Sequence, residues 1–312
     1  MSESSFTEPN KPVVAILSLG EMGFGHAQLL KAHGYRVLTN LEGRSEATQQ
    51  RALQSGVELI TNDISLITET DIFLSIIPPS EALSTAQRIA TAYQQTFHKP
   101  LYYVDLNALS PNTVKEVSQN FNPSWPIHFI DGAIIGPPAR PPTPSNPSWY
   151  VPRIVISGAH ELPTELRSLL VMKHIGPEIG QASALKMSFA TLFKGFTSLA
   201  LLSFTTAERH GVYDALREEM DEFFPPFGGM AGRFLEGNMK GVPKKAYRWV
   251  TEMEEIDATH RETGFDEGVF EAVARVYGLV DKETEVGRRR AKDVEVEEVL
   301  KSVDEALKGR EK

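Results

Sequence analysis

The chain has 312 residues, more than one domain usually holds, with 41% hydrophobic and 23% charged residues, a balance too apolar for global disorder and sufficient for a sizeable core. Its 32 Lys and Arg against 41 Asp and Glu leave a formal charge of −9, which argues against a general nucleic-acid or acidic-membrane binder while allowing a local basic pocket. The sequence contains no cysteine, which excludes disulfides, thiolate catalysis and Cys-ligated metals and fits a reducing, cytoplasmic setting.

Met1 to Lys11 is polar and does not read as a secretion signal. Val13–Leu17 is a β-rich run followed by an amphipathic stretch from Glu21 to His33, and Arg36–Thr39 followed by Ser45–Gln54 repeats that order. Asp71–Ile77, Leu101–Asp105, His128–Asp131 and Ile154–Ser157 supply further strands, with helical segments between several of them. Strands alternating with helices predict βαβ units and a mostly parallel, doubly wound α/β sheet of the Rossmann type. The Pro-rich segment Pro137–Pro147 reads as a surface loop.

After Gly180 the pattern becomes all-α. Gln181–His210 reads as one long helix, and its apolar stretch Met187–Phe204, interrupted by Lys194, reads as a buried helix rather than a membrane span. Pro225, Pro226, Gly228 and Gly229 form a break, and Asp293–Leu307 sets Val296, Val299, Leu300, Val303 and Leu307 near one helical face. The boundary near Gly176–Gly180 divides an α/β domain, residues 1–179, from a helical domain, residues 180–312.

The first strand leads into Ser18-Leu19-Gly20-Glu21-Met22-Gly23, a G-x-G-x-x-G pattern with serine at its first position. In such a turn the middle glycine admits a pyrophosphate, the last lets helix pack on strand, and N–H groups at the helix start receive the anion. A tight structural turn is the alternative. After the second strand comes Asn40-Leu41-Glu42-Gly43-Arg44-Ser45. Asn40 is neutral where an NAD site places an acid on the ribose, and Arg44 with Ser45 suits a 2′-phosphate, so NADP is expected over NAD. Glu42 could take the ribose role instead, with Arg44 merely solvated.

Gly20-Glu21-Met22-Gly23, Ile76-Ile77-Pro78-Pro79, Asp105-Leu106-Asn107, Asp131-Gly132-Ala133-Ile134-Ile135-Gly136 and Gly180-Gln181-Ala182-Ser183-Ala184-Leu185-Lys186 occur in this order. The ordered set resembles the β-hydroxyacid dehydrogenase family, relatives of 6-phosphogluconate dehydrogenase, over roughly residues 12 to 210. Beyond it, Trp249-Val250-Thr251-Glu252-Met253-Glu254-Glu255-Ile256 resembles a poorly characterised branch with its own C-terminal helical domain. The resemblance implies a Rossmann domain, a long interdomain helix, a helical domain that pairs two subunits, and an active site in the cleft between domains. It places the general acid/base for hydride transfer at Lys186. The residues agree, since Lys186 lies in the first turns of an apolar helix, near its positive dipole end, where the neutral amine is favoured. A snorkelling surface lysine is the competing reading, and Lys194, two turns on, is the rival lysine and a candidate substrate contact.

The resemblance further puts Leu19, Gly20, Glu21, Met22, Ile77, Pro78, Pro79 and Asn107 at the cofactor, and Asn107, Ala133, Ile134, Ile135 and Gly136 at the substrate. Asn107 could equally close an Asx turn, and Pro78 and Pro79 could simply end their strand. Backbone N–H groups around Gly132–Gly136 are expected to hold an anion. The sequence departs from the family at Ile135, where serine is usual, at Ala190, where asparagine is usual, and at Met253-Glu254, in place of a Lys-Asp pair. These changes make the pocket wall more apolar and point away from the smallest hydroxy acids. Arg140 is a minor candidate for an anionic substrate. His260 is expected on a helix surface, and Glu252, Glu254 and Glu255 on a solvated face rather than at a metal.

The expected function is NADP-dependent hydride transfer on a hydroxy or keto acid-like small molecule by a homodimer built on the helical half. Alternatives are an imine reductase-like enzyme and a catalytically silent NADP-binding sensor.

Overall fold

In the computed structural model, residues 11–96, 99–223 and 235–310 are described; the residues before Lys11 and the break at Pro225–Gly229 lie outside them. The chain divides into two compact units, Met1–Lys186 and Met187–Lys312.

The first unit contains β1 (Val14–Leu17), α1 (Glu21–Ala32), β2 (Val37–Thr39), α2 (Glu46–Ser55), β3 (Glu58–Leu59), α3 (Asp63–Glu69), β4 (Ile72–Ser75), a 3₁₀ turn at Pro79–Glu81, α4 (Ala82–Gln94), β5 (Leu101–Asp105), α5 (Pro111–Ser118), β6 (Ile127–Ile135), β7 (Arg153–Ser157), α6 (Thr164–Leu169) and β8 (Met172–Gly176). They form one eight-stranded sheet in the order β3-β2-β1-β4-β5-β6-β7-β8. Every pairing is parallel except β6 with β7. Strand order reverses at β1, which makes its C-terminal edge the switch point where ligands of such sheets sit.

The period of two along each strand builds the core. Val14 and Ile16 of β1 and Leu74 of β4 join one apolar cluster with Leu29 and Leu30 of α1. Their neighbours Ala15, Leu17 and Phe73 face a second cluster with Leu66 of α3 and Ile89 of α4. Both faces are therefore covered, as parallel sheets require. The starts of α3 and α5 carry side-chain caps: Asn62 Oδ1 accepts from Ser65 N at 2.8 Å, and Ser110 Oγ accepts from Thr113 N at 3.1 Å ahead of Pro111.

Two features depart from the sequence reading. The strand expected at His128–Asp131 runs on to Ile135, where its antiparallel ladder with β7 pairs Asp131 with Ser157 and Ile135 with Arg153. The expected anion-holding loop at Gly132–Gly136 is thus extended strand through Ile135, and an extended backbone turns successive N–H groups to opposite sides, so they cannot converge on one anion. The domain boundary also falls at Lys186, inside α7 (Gln181–Arg209), rather than between residues 179 and 180.

Hydrogen bonds account for that boundary. Asp131, fully buried on β6, accepts from Gly180 N at 2.8 Å, Ser183 N at 3.2 Å, Ser183 Oγ at 2.8 Å and Ser157 Oγ at 2.9 Å. Ser157 Oγ in turn accepts from Ala182 N at 3.0 Å. Orphan N–H groups of a helix start need acceptors, and here the sheet supplies them.

The second unit continues α7 and adds α8 (Tyr213–Phe223), α9 (Gly237–Lys240), α10 (Val242–Glu262), α11 (Val269–Glu283), α12 (Glu285–Arg288) and α13 (Val296–Arg310). Trp249 of α10 meets Tyr277 of α11 edge-on at 5.1 Å. Asp257 of α10 caps α11 by accepting from Phe270 N at 3.1 Å and Glu271 N at 3.2 Å. The face expected on the last helix holds, with Val296, Val299, Leu300 and Val303 buried. Among the described residues, α7 alone is long and apolar enough to cross a membrane. It is only partly buried: Leu185, Phe189, Leu192, Phe196 and Leu199 are exposed, Leu192 to 64%.

Asp131→Ala should destabilise the protein by about 3 kcal/mol or more, because several buried donors lose their acceptor at once. Urea unfolding measures this, and a loss below ~1 kcal/mol would contradict the role assigned to Asp131.

Candidate functional site

The turn after β1 distinguishes its two glycines. A Cβ on Gly23 would lie 2.1 Å from the Ser18 carbonyl oxygen, so that glycine is required by the packing of α1 on its strand. At Gly20 a Cβ would meet nothing within 4 Å, and its backbone, with φ −62°, is open to any residue. Neither packing nor conformation within the chain calls for glycine there. Gly20 also begins α1 without a side-chain cap. An open approach to an uncapped helix start fits a phosphate group, and these residues therefore fit a dinucleotide.

Around this turn the expected residues fall as follows. Leu19 is wholly buried, and its carbonyl accepts from Arg51 Nε at 2.7 Å. Glu21 is exposed and Met22 half-buried, with the Met22 carbonyl 2.8 Å from His26 Nδ1. Asn40 is buried and already engaged: its Oδ1 accepts from Glu42 N at 2.9 Å and its Nδ2 donates to Asp63 Oδ1 at 2.8 Å. Arg44 is not solvated, because its Nη1 donates to Glu81 Oε2 at 2.6 Å. Ser45 is the N-cap residue of α2, with its Oγ 3.1 Å from Thr48 Oγ1.

On the other side of β1, Pro78 is exposed and Pro79 half-buried at the start of the 3₁₀ turn. Asn107 does not present a free amide. Its Oδ1 accepts from Ile77 N at 2.7 Å, and its Nδ2 donates to Ser75 Oγ at 3.0 Å and Asp105 Oδ2 at 2.9 Å. Both amide hydrogens are engaged, so Asn107 fixes the Ile77–Pro78 segment from behind, and the Asx contact after β5 is made by the Asp105 side chain rather than by that of Asn107. Asp105 also accepts from Asn107 N at 3.0 Å. Burial pushes the Asp105 carboxyl up to about 7, against the Asn107 hydrogen bonds that favour the ionised form; the nearby Asp131 charge adds to the rise.

At the far end of the sheet, β6 overhangs β5, whose pairing ends at Asp105 with Asp131. Ala133 and Ile134 are buried there, Ile135 is half-buried, and Gly136 closes the strand. Lys186, half-buried, reaches back from α7 and donates from Nζ to the Ile134 carbonyl oxygen at 2.7 Å. The first turns of α7 and the end of β6 are thus held together at both Asp131 and Ile134.

Lys194 belongs to the second unit. It is 8% exposed, paired with Glu252 of α10, and stands over the Trp249 ring at 5.5 Å. Its expected substrate contact gives way to this buried ion pair, and Glu252 is correspondingly not on a solvated face. His260 is half-buried rather than on the surface, with Nε2 2.9 Å from Thr191 Oγ1 and its ring edge-on to Phe270 at 5.3 Å. Arg140 stacks over Tyr150 at 5.0 Å. Ala190 and Met253 are buried and Glu254 is exposed.

Four residues that the sequence reading did not place at the site matter to its geometry: Arg51, Asp63, Glu81 and Asp105. Only Asp105 has a local signal, the Asp-x-Asn spacing after a strand. The other three act through partners 23 to 37 positions away.

Residues 207–280 match a family described as a domain of unknown function, DUF1932. A protein of Methanothermus fervidus, described as an uncharacterized 28.5 kDa protein in the 7S RNA 5′ region, is 27% identical over 212 residues, which is 66% of this chain and 77% of its own. Among solved structures, a conserved protein of unknown function that is reported to resemble 3-hydroxyacid dehydrogenases is 26% identical, with a TM-score of 0.59 over 89% of this chain and 98% of its own. A 3-hydroxyisobutyrate dehydrogenase of Salmonella typhimurium, 14% identical, shares the fold with a TM-score of 0.60 over 93% and 99% of the two chains. The chain therefore has a β-hydroxyacid dehydrogenase-like fold, a Rossmann-type sheet unit followed by a helical C-terminal unit that carries the DUF1932 match.

Proposed function

We propose that the protein is a nicotinamide-dependent oxidoreductase that interconverts a hydroxy and a keto acid-like small molecule, with Lys186 as general acid/base and NADP preferred to NAD. The observation that carries the reading is the turn at the β1 edge, where neither packing nor backbone conformation requires position 20 to be glycine. A bound nicotinamide dinucleotide would supply the acceptor or donor of the hydride. The N–H groups at the start of α1 would hold its pyrophosphate, and the Asn107-fixed Ile77–Pro79 segment would border the nicotinamide side. Arg44 would meet the 2′-phosphate, for which a guanidinium is well shaped.

Lys186 Nζ would take the hydroxyl proton in oxidation and return it in reduction. Its bond to the Ile134 carbonyl supports this by fixing Nζ on the strand end that the family resemblance assigns to substrate, where the neutral amine would accept the proton and the protonated form would return it. Lys194 is not an equivalent choice, because its Nζ is committed to Glu252.

We further propose a homodimer. The exposed residues Leu185, Phe189, Leu192, Phe196 and Leu199 alternate by four and three along α7. That is the spacing of a coiled-coil seam, and apolar surface of this kind is normally covered in a soluble assembly.

Two experiments test these readings. Lys186→Met should leave nucleotide affinity near wild type and lower turnover on a panel of hydroxy and keto acids by roughly 10²-fold or more. Lys194→Met should instead lower stability by about 3 kcal/mol, since it leaves Glu252 buried without its partner. Activity lost at Lys194 and retained at Lys186 would reverse the assignment, and a wild type that binds nucleotide yet turns over no alcohol, ketone or imine would favour the sensor reading. Light scattering should report twice the chain mass of 34.6 kDa, and Leu192→Glu with Phe196→Glu should halve it. A wild-type monomer at micromolar concentration would refute the dimer.

A further inference from the structure

Arg44 and Glu81 come from opposite flanks of the β1 turn. Arg44 precedes α2 and follows β2, and Glu81 ends the 3₁₀ turn that follows β4. β1 lies between β2 and β4 in the sheet. The contact of Arg44 Nη1 with Glu81 Oε2 at 2.6 Å therefore ties together the two loops that border the Gly20–Gly23 turn. The partners are unequally held: the Arg44 side chain is 13% exposed and that of Glu81 41%. The cation is fixed among protein groups, and the carboxylate is the partner that solvent can reach.

Glu81 is not dependent on Arg44 alone. Arg88 of α4 donates to Asp63 at 2.8 and 3.2 Å, and the charges of Glu42 and Glu81 also bear on Arg88, adding to the effect of Asp63 in raising its pKa. If Arg44 were drawn to another anion, Glu81 would remain in the field of Arg88. The cost of breaking the pair is correspondingly small, which suits an exchangeable contact rather than a structural clamp.

We propose that Glu81 is a specificity-determining residue that competes with the 2′-phosphate of the dinucleotide for Arg44. The inference rests on the reading of the β1 turn as a nicotinamide dinucleotide site. A phosphorylated ribose must displace Glu81 from Arg44, whereas an unphosphorylated ribose leaves the pair in place. Glu81 thus lowers the preference for NADP that Arg44 alone would confer, and holds the discrimination between the two nucleotides at an intermediate value. Glu42, the other acid on this loop, is anchored through its backbone N–H to Asn40 Oδ1 at 2.9 Å, whereas the carboxylate that bonds Arg44 is that of Glu81.

The test is fluorescence titration of NADPH and NADH, with 2′,5′-ADP and 5′-ADP as probes that lack the nicotinamide, at one ionic strength. Wild type, Glu81→Gln, Arg44→Ala and the double variant are compared, each checked by circular dichroism melting. Glu81→Gln should tighten NADPH and 2′,5′-ADP by about two- to fivefold relative to NADH and 5′-ADP, the scale of a part-exposed ion pair. In the Arg44→Ala background the same substitution should leave the ratio unchanged, which isolates the pair from the general change of charge. An unchanged or lowered ratio in Glu81→Gln, or the same rise with and without Arg44, overturns the proposal while leaving the nucleotide site standing. Wild type that binds none of the four ligands overturns the site itself and the proposal with it.

Discussion

Burying a carboxylate within a sheet is costly unless donors converge on it, and at Asp131 Gly180 N, Ser183 N, Ser183 Oγ and Ser157 Oγ all do. That convergence decides where a 29-residue helix begins and which way its first turns face. Lys186 lies one turn beyond Ser183 and can meet the Ile134 carbonyl because the helix start is pinned to the same strand three residues earlier, at Asp131. A strand that overhangs its parallel neighbour exposes carbonyls at its end, and a helix anchored on that strand brings a side chain to one of them.

A second carboxylate arranges the neighbouring edge. Asp105 sits opposite Asp131 in the β5–β6 register, and through Asn107 it fixes Ile77 at the end of β4. The chain Asp105–Asn107–Ile77 thus runs across adjacent strand ends toward β1, while Asp131 runs the other way to β7 and α7. Two acids at matched positions organise the whole C-terminal edge of the sheet between β4 and β7. The Asp105 carboxyl is raised to about 7 chiefly by burial, with the nearby Asp131 charge adding a smaller part.

The parts of this arrangement legible in the sequence were those with short-range signatures. The strands β1, β4, β5 and β7 are apolar runs and the Gly20–Gly23 turn is a local pattern, so a mostly parallel, doubly wound sheet is legible from residue order alone. β3 is two exposed residues, Glu58 and Leu59, and β8, Met172–Gly176, is a half-buried edge containing Lys173 and His174. Neither carries a hydropathy signal, because ladder hydrogen bonds rather than apolar burial define them. The two lysines of α7 look alike in composition for a related reason. Both interrupt an apolar helix, and what separates them is Glu252, 58 residues from Lys194, which lies in a run of acids that composition alone describes as a solvated face.

The same distinction applies to the cations around β1. Arg44 and Arg88 are matched by carboxylates, Glu81 and Asp63. Among the described residues Arg51 has no carboxylate partner: its guanidinium donates to the Leu19 carbonyl at 2.7 Å and to Thr48 Oγ1 at 3.0 Å, and both acceptors are neutral. A dipolar acceptor orients a guanidinium without cancelling its charge. In a chain of net charge −9, Arg51 therefore keeps a positive charge directly against the Leu19–Gly20 peptide, where it adds to the positive end of α1. The sheet edge at β1 thus combines an uncapped helix start, a glycine with an open approach and a neutral-ligated arginine. For an anion arriving at that edge, the local field is set by these three groups rather than by the overall charge of the protein.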